Sequence, residues 1–112
     1  MDLASAFWQV PLSREDSYKT AFSFEGVTYV WKVMPFGLRN APPTFQRLGE
    51  KILASMIGHG AHIFIDDILI YTETEEEHLR LLDQVLGRLE KAGLKVAIDK
   101  SVWMVPEVGY LG

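Results

Sequence analysis

Apolar positions follow two different periods along this chain, and the changes from one to the other mark out its elements. Thr20–Phe24 and Val27–Val33 are rich in β-branched and aromatic residues and flank Glu25-Gly26, which predicts a hairpin. Ile63–Ile65 and Ile68–Tyr71 are two further β-prone runs, separated by only Asp66-Asp67, which predicts a second hairpin with both aspartates at its tip. Between the hairpins the period lengthens. Pro42 and Pro43 suit the first turn of a helix, where a missing N–H costs nothing, and Phe45, Leu48 and Ile52 then form one apolar stripe that Gly58 and Gly60 close off.

A second helix is predicted after the second hairpin. Thr74-Glu75-Glu76-Glu77 reads as a capping box with acidic residues in the first turn, and Leu79, Leu82, Leu86 and Leu89 continue as a buried stripe. Lys91 and Gly93 are C-terminal signals. At the two ends the pattern is weaker. Met1–Pro11 reads as a strand end running into a short helical turn, and Val96 with Ile98, Val102 with Trp103, and Val108 with Tyr110 and Leu111 suggest short strands, with Pro106 in the last turn. Met34–Asn40, holding Pro35 and Gly37, is expected to be loop. The order of strand, hairpin, helix, hairpin, helix and strands predicts an α+β domain, an antiparallel sheet with helices packed on one face.

Composition changes this picture little. The 112 residues suffice for one compact domain, and 48% apolar with 23% charged residues is a globular balance. Cysteine is absent, which excludes disulfides, thiolate catalysis and Cys-built zinc sites. No apolar run approaches the ~20 residues that cross a bilayer, so no membrane partner is expected. The net charge of −4, from 11 Lys and Arg against 15 Asp and Glu, lacks the basic footprint of a nucleic-acid binder.

The chemistry lies in Asp66-Asp67, two adjacent carboxylates inside an otherwise apolar run from Ile63 to Ile70. Ionised side by side in a partly dehydrated hairpin they repel, so either one is protonated or a cation sits between them. Magnesium, which binds through one or two carboxylates plus substrate phosphate oxygens, resolves the conflict. Ordinary turn chemistry is the competing explanation, because Asp tolerates tight turns and bonds its own backbone. The dipeptide alone leaves both open. His59, His62 and His78 have no metal-ligand spacing and read as surface or packing residues.

The surrounding blocks add a resemblance. Met1–Leu12 (MDLASAFWQVPL), Lys19–Phe22 (KTAF), Met34–Pro42 (MPFGLRNAP), Thr44–Gln46 (TFQ), Phe64–Leu69 (FIDDIL) and Tyr110–Gly112 (YLG) closely resemble the ordered blocks of reverse transcriptases from gypsy-type LTR retrotransposons. The resemblance spans essentially the whole chain. It implies the palm-type sheet of a polymerase right hand, RNA-directed DNA polymerase activity, and two Mg2+ ions, with Mn2+ as a substitute. Asp2, Asp66 and Asp67 are implied as catalytic, metal-binding carboxylates. Leu3, Phe7, Phe36 and Gly37 are implied to line the nucleotide pocket, with Phe7 crowding the sugar 2′ carbon and so selecting deoxynucleotides. Val108 and Gly109 are implied to steady the primer end. Core or loop packing explains Phe7, Phe36, Gly37, Val108 and Gly109 as well, and Gln46 and Arg39 read as solvated residues.

The implied partners are a primed RNA or DNA template, dNTPs and the rest of a pol polyprotein, in a cytoplasmic virus-like particle. Residues 1–112 are expected to be a partial palm core, with fingers, thumb, connection and RNase H lying outside the chain. The basic residues of those parts would account for the acidic balance here, and the isolated segment is expected to be inactive or weakly active. A non-catalytic, palm-derived scaffold is the alternative, and a different two-metal nucleotidyl transferase would explain the aspartates but neither Phe7 nor the Met34–Pro42 loop.

Overall fold

In a computed structural model that describes residues 1–109, the chain forms a four-stranded antiparallel sheet, two α-helices and a separate hairpin. Strand β1 is Asp2–Leu3, followed by a 3-10 turn at Ala6–Gln9, and β2 (Phe22–Phe24) with β3 (Val27–Tyr29) makes the hairpin. Helix α1 (Ala41–Ile52) leads to β4 (Ala61–Phe64) and β5 (Asp67–Ile70), then to α2 (Glu75–Lys91) and β6 (Val96–Ala97). The sheet order is β4-β5-β1-β6, which places the short β1 in the interior between the second hairpin and β6.

The register divides the sheet into two faces. Phe64 pairs with Asp67, Asp67 with Asp2, and Asp2 with Ala97, so their side chains form one row on the open face. Ile63 pairs with Ile68, and Leu3 with Val96, on the face that the helices cover. There Leu3, Ile63 and Ile68 join Phe45 of α1 and Val85 and Leu89 of α2 in one buried cluster. Gly49 lets α1 approach closely, because a Cβ at this position would collide with the end of the Ile63 side chain.

Both helices begin and end for local reasons. Pro42 and Pro43 occupy the first turn of α1. The Thr74 side chain accepts a bond from the Glu77 N–H at the start of α2. Its C-terminus closes with Gly93 at φ 75°, the Gly93 N–H on the Glu90 carbonyl and the Leu94 N–H on the Leu89 carbonyl. That is a Schellman cap, and it turns Leu94 back into the core.

Three expectations shift. The hairpin turn is Ile65-Asp66, one place before Asp66-Asp67, because Asp67 is already paired with Phe64. This register keeps Ile63 and Ile68 on the covered face, whereas a slip of one residue would turn Ile68 outward. In α2 the buried edge runs through Val85 and Leu89, while Leu79 is 54% exposed, since the leucine spacing fits two neighbouring stripes and only one meets the sheet. Ile98 belongs to a 3-10 turn, and no strand forms from 102 to 109, where Met104 at φ 50° breaks the extended run. Tyr110 and Leu111 lie outside the described residues. Among the described residues no helix is long and apolar enough to cross a membrane.

The β2–β3 strands are also shorter than the sequence suggests, with a tight turn at Glu25 (φ 51°) and Gly26 (φ 76°). This hairpin is exposed throughout and is held by aromatic contacts, Phe22 on Tyr29 at 5.6 Å between ring centroids and Trp31 on Trp8 at 6.4 Å. Phe45 is fully buried where α1, the 3-10 turn and the sheet meet. Phe45→Ala is expected to cost about 3–5 kcal/mol, read as a lower urea midpoint, while Phe24→Ala on the exposed hairpin should change it by less than about 0.5 kcal/mol.

Candidate active site

The central pairing of the sheet brings Asp2 of β1 directly beside Asp67 of β5. Asp2 is fixed from both sides. The Ile68 N–H donates to the Met1 carbonyl at 2.7 Å and the Leu3 N–H to the Asp66 carbonyl at 2.9 Å. On the β6 side the Asp2 N–H donates to the Ser101 hydroxyl at 3.0 Å, and that hydroxyl donates to the Ala97 carbonyl at 2.7 Å. Ser101 thus extends the ladder past the end of the short β6.

Asp66 sits in the hairpin turn, exposed, and the turn is strained. Ile65, a β-branched residue, takes φ 55°, a left-handed conformation that costs such residues roughly 1–3 kcal/mol. The Gln46 side chain braces the β4 side of the turn. Its Oε1 accepts the Ile65 N–H at 2.5 Å and its Nε2 donates to the Ile63 carbonyl at 2.9 Å. Gln46 was expected to be a solvated helix residue; a spacing of 17 from Ile63 and 19 from Ile65 leaves no local sequence signal for the contact.

Asp2 and Asp66 line one cavity of about 350 Å³ together with Leu3, Phe7, Phe36 and Lys100. Leu3 buries its side chain, 4% exposed, so it belongs to the core as well as to the wall. Phe7 has its ring edge on to Phe36 at 5.1 Å and to Phe45 at 5.9 Å, which makes it the partition between cavity and core. Phe36 is 63% exposed and also borders an adjoining apolar groove, where Gly37 (φ 89°) lies with Trp8, Trp31 and Lys19. Arg39 is exposed.

Asp67, Val108 and Gly109 line a different cavity, with Met1, Trp103 and Met104. Asp67 nevertheless stands beside Asp2 across the ladder, its carboxyl coupled to those of Asp2 and Asp66, and among the described residues no group of three or more His, Cys, Asp or Glu is arranged as a closed metal cage. Two carboxylates on one open cavity do fit a cation that takes its remaining ligands from substrate phosphate and water. Among the described residues Lys100 is the only basic one on that cavity wall.

The Asp67 carboxyl is pushed above its usual range, chiefly by burial and next by the charge of Asp2, with the Met1 amino group acting the other way and a hydrogen bond with Asp2 and the charge of Asp66 adding to the rise. Its neighbours thus disfavour the charged form.

The chain matches known proteins over its full extent. Residues 1–112 match the reverse transcriptase (RNA-dependent DNA polymerase) family, and the chain belongs to it. It is 38% identical over all its 112 residues to the retrovirus-related Pol polyprotein from transposon gypsy of Drosophila melanogaster, and 34% identical to the Pro-Pol polyprotein of feline foamy virus. It spans 11% and 10% of the length of these two relatives. Among solved structures, a foamy viral protease-reverse transcriptase in complex with an RNA/DNA hybrid superposes on 99% of this chain with a TM-score of 0.92 at 36% identity, the chain covering 15% of it. The same protein type in complex with dsDNA gives a TM-score of 0.91. The antiparallel sheet with its two helices is therefore a fragment of a polymerase fold, as the resemblance implied.

The raised Asp67 pKa makes a signed prediction. Its contribution to stability is fully present below the ordinary value of 3.8 and is lost as pH rises through the raised folded-state value. The difference in stability between Asp67→Asn and the parent should accordingly move in favour of the variant as pH increases across that window, read as urea midpoints at a series of pH values. A difference that does not change with pH contradicts the raised Asp67 pKa.

Proposed function

We propose that this chain is the palm core of an RNA-directed DNA polymerase and that Asp2 and Asp66 hold the divalent cations for nucleotidyl transfer from a dNTP to a primer 3′-hydroxyl. The observation that carries this reading is the shared cavity, with Asp2 and Asp66 facing a volume walled by Phe7 and Phe36. Two magnesium ions, or manganese in their place, would supply activation of the primer hydroxyl and neutralisation of charge on the leaving pyrophosphate. The residues of the chain do the positioning. Asp2 is held by ladder bonds and Ser101, Asp66 by a two-residue turn, so both carboxylates are set before substrate arrives.

Asp67, beside Asp2 in the ladder, is the neighbouring acidic residue of the same motif and would add a third carboxylate to the cation site. Phe7 and Phe36 shape the nucleotide pocket, where the Phe7 ring, backed by Phe45, opposes a sugar carrying a 2′-hydroxyl. Gly37 lets the backbone approach that pocket from the groove side. Val108 and Gly109, exposed on the wall of the Asp67 cavity, contact the primer strand. A primed RNA or DNA template runs over the open face of the sheet, while fingers, thumb and RNase H come from the remainder of a pol polyprotein.

The test uses a polymerase that carries this segment within its fingers and thumb. Asp66→Asn and Asp2→Asn should each lower magnesium-dependent primer extension by at least about 10²-fold with folding retained, a loss of several kcal/mol of charge stabilisation. Extension by Asp66→Asn at the parent's rate would falsify the metal assignment. Phe7→Ala should raise ribonucleotide incorporation relative to deoxynucleotide by about 10-fold or more, measured as the ratio of kcat/KM values.

A further inference from the structure

We infer that Gln46 is a positioning residue for the Asp66 carboxylate, acting as a clamp that holds the strained Ile65-Asp66 turn in the shape the site requires. This rests on the assignment of Asp66 proposed above. Asp66 has no side-chain hydrogen bond of its own among the described residues, so its direction is set by the backbone of its turn. That turn depends on Ile65 remaining at φ 55°, a conformation a β-branched residue leaves readily unless something retains it. Gln46 supplies the retaining contact. Its amide accepts from the Ile65 N–H in the turn and donates to the Ile63 carbonyl in β4, so it holds the chain where β4 enters the turn.

The amide can do this in one orientation only. Nε2 also donates to the Glu50 carboxylate at 2.9 Å, one helical turn further along α1. Flipping the amide would set Oε1 against the Ile63 carbonyl and the Glu50 carboxylate, and Nε2 against the Ile65 N–H, making all three contacts repulsive. The helix that carries the clamp is itself locked to the sheet through Phe45 and through the close approach of Gly49 to Ile63. The strained turn is thus tied to the buried, closely packed contact of α1 with the sheet. Second-layer partners of this kind typically affect metal affinity or activity by about 10–100-fold when removed.

The experiment compares Gln46→Leu, Gln46→Glu and Asp66→Asn with the parent in the polymerase that carries this segment, with three readouts. Gln46→Leu is expected to raise the Mn2+ concentration for half-saturation, followed by electron paramagnetic resonance without nucleotide, by about 10–100-fold. It should lower kcat with little change in KM for dNTP, and speed amide hydrogen exchange at Ile65. Gln46→Glu keeps an acceptor for the Ile65 N–H but sets a carboxylate oxygen against the Ile63 carbonyl and the Glu50 carboxylate, so it too should lower cation affinity and speed exchange at Ile65. If Gln46→Leu does not fold, Gln46→Glu carries the test by the same readouts.

Parental cation affinity and Ile65 exchange in the Gln46 variants, with Asp66→Asn inactive, would overturn the clamp and leave the metal site standing. A loss of activity that only tracks a lower melting temperature, with cation affinity unchanged, would overturn it too. Full activity in Asp66→Asn would remove the site assignment and the clamp together.

Discussion

The antiparallel pairing of β1 with β5 is the constraint on which the rest of the structure depends. It sets Asp2 opposite Asp67 in the middle of the sheet and, by the same register, turns Leu3, Ile63 and Ile68 into the core. One geometric choice therefore decides both what is buried and where the carboxylates stand. Because side chains alternate along a strand, no slip of one residue could keep the apolar set inside and the acidic set outside.

That arrangement costs stability locally. Two carboxylates face each other across a ladder, Asp67 is partly desolvated, and Ile65 holds an unfavourable φ. The compensation lies on the opposite face, where Phe45, Leu53, Val85, Ile68 and Leu89 are almost completely buried. Strain and like charge persist at such positions only when the surroundings over-determine them, and the bonds of Gln46 and Ser101 are that surrounding. Under the function proposed above, this concentration of charge is where a cation and a triphosphate would meet.

Much of this was legible in the sequence because it depends on local pattern. Both hairpins, both helices, the Thr74 cap and the Gly93 stop follow from neighbouring residues. The turn at Ile65-Asp66 was misplaced by one residue because β-branched Ile65 is an unlikely occupant of a left-handed position, and only pairing with β1 explains it. The leucine stripe of α2 was ambiguous because periodicity names a set of faces and the sheet selects one. Gln46 was missed for a different reason. Its partners are 17 and 19 residues away, and a glutamine on a helix surface carries no sign of them. Among the candidate residues, Asp2, Leu3, Asp66, Phe7 and Phe36 do reach one cavity, whereas Asp67, Val108 and Gly109 reach another and Gly37 a third.

The central claim is that Asp2 and Asp66 together hold divalent cations on the open face of the sheet. Anomalous scattering from Mn2+ in crystals of the polymerase with primer, template and a non-hydrolysable dNTP tests it most directly. The account predicts anomalous peaks between the Asp2 and Asp66 carboxylates and the triphosphate, at coordination distances near the 2.0–2.2 Å that small hard cations adopt with oxygen. Peaks that avoid either carboxylate, or none on this face in a complex with ordered nucleotide, would contradict it.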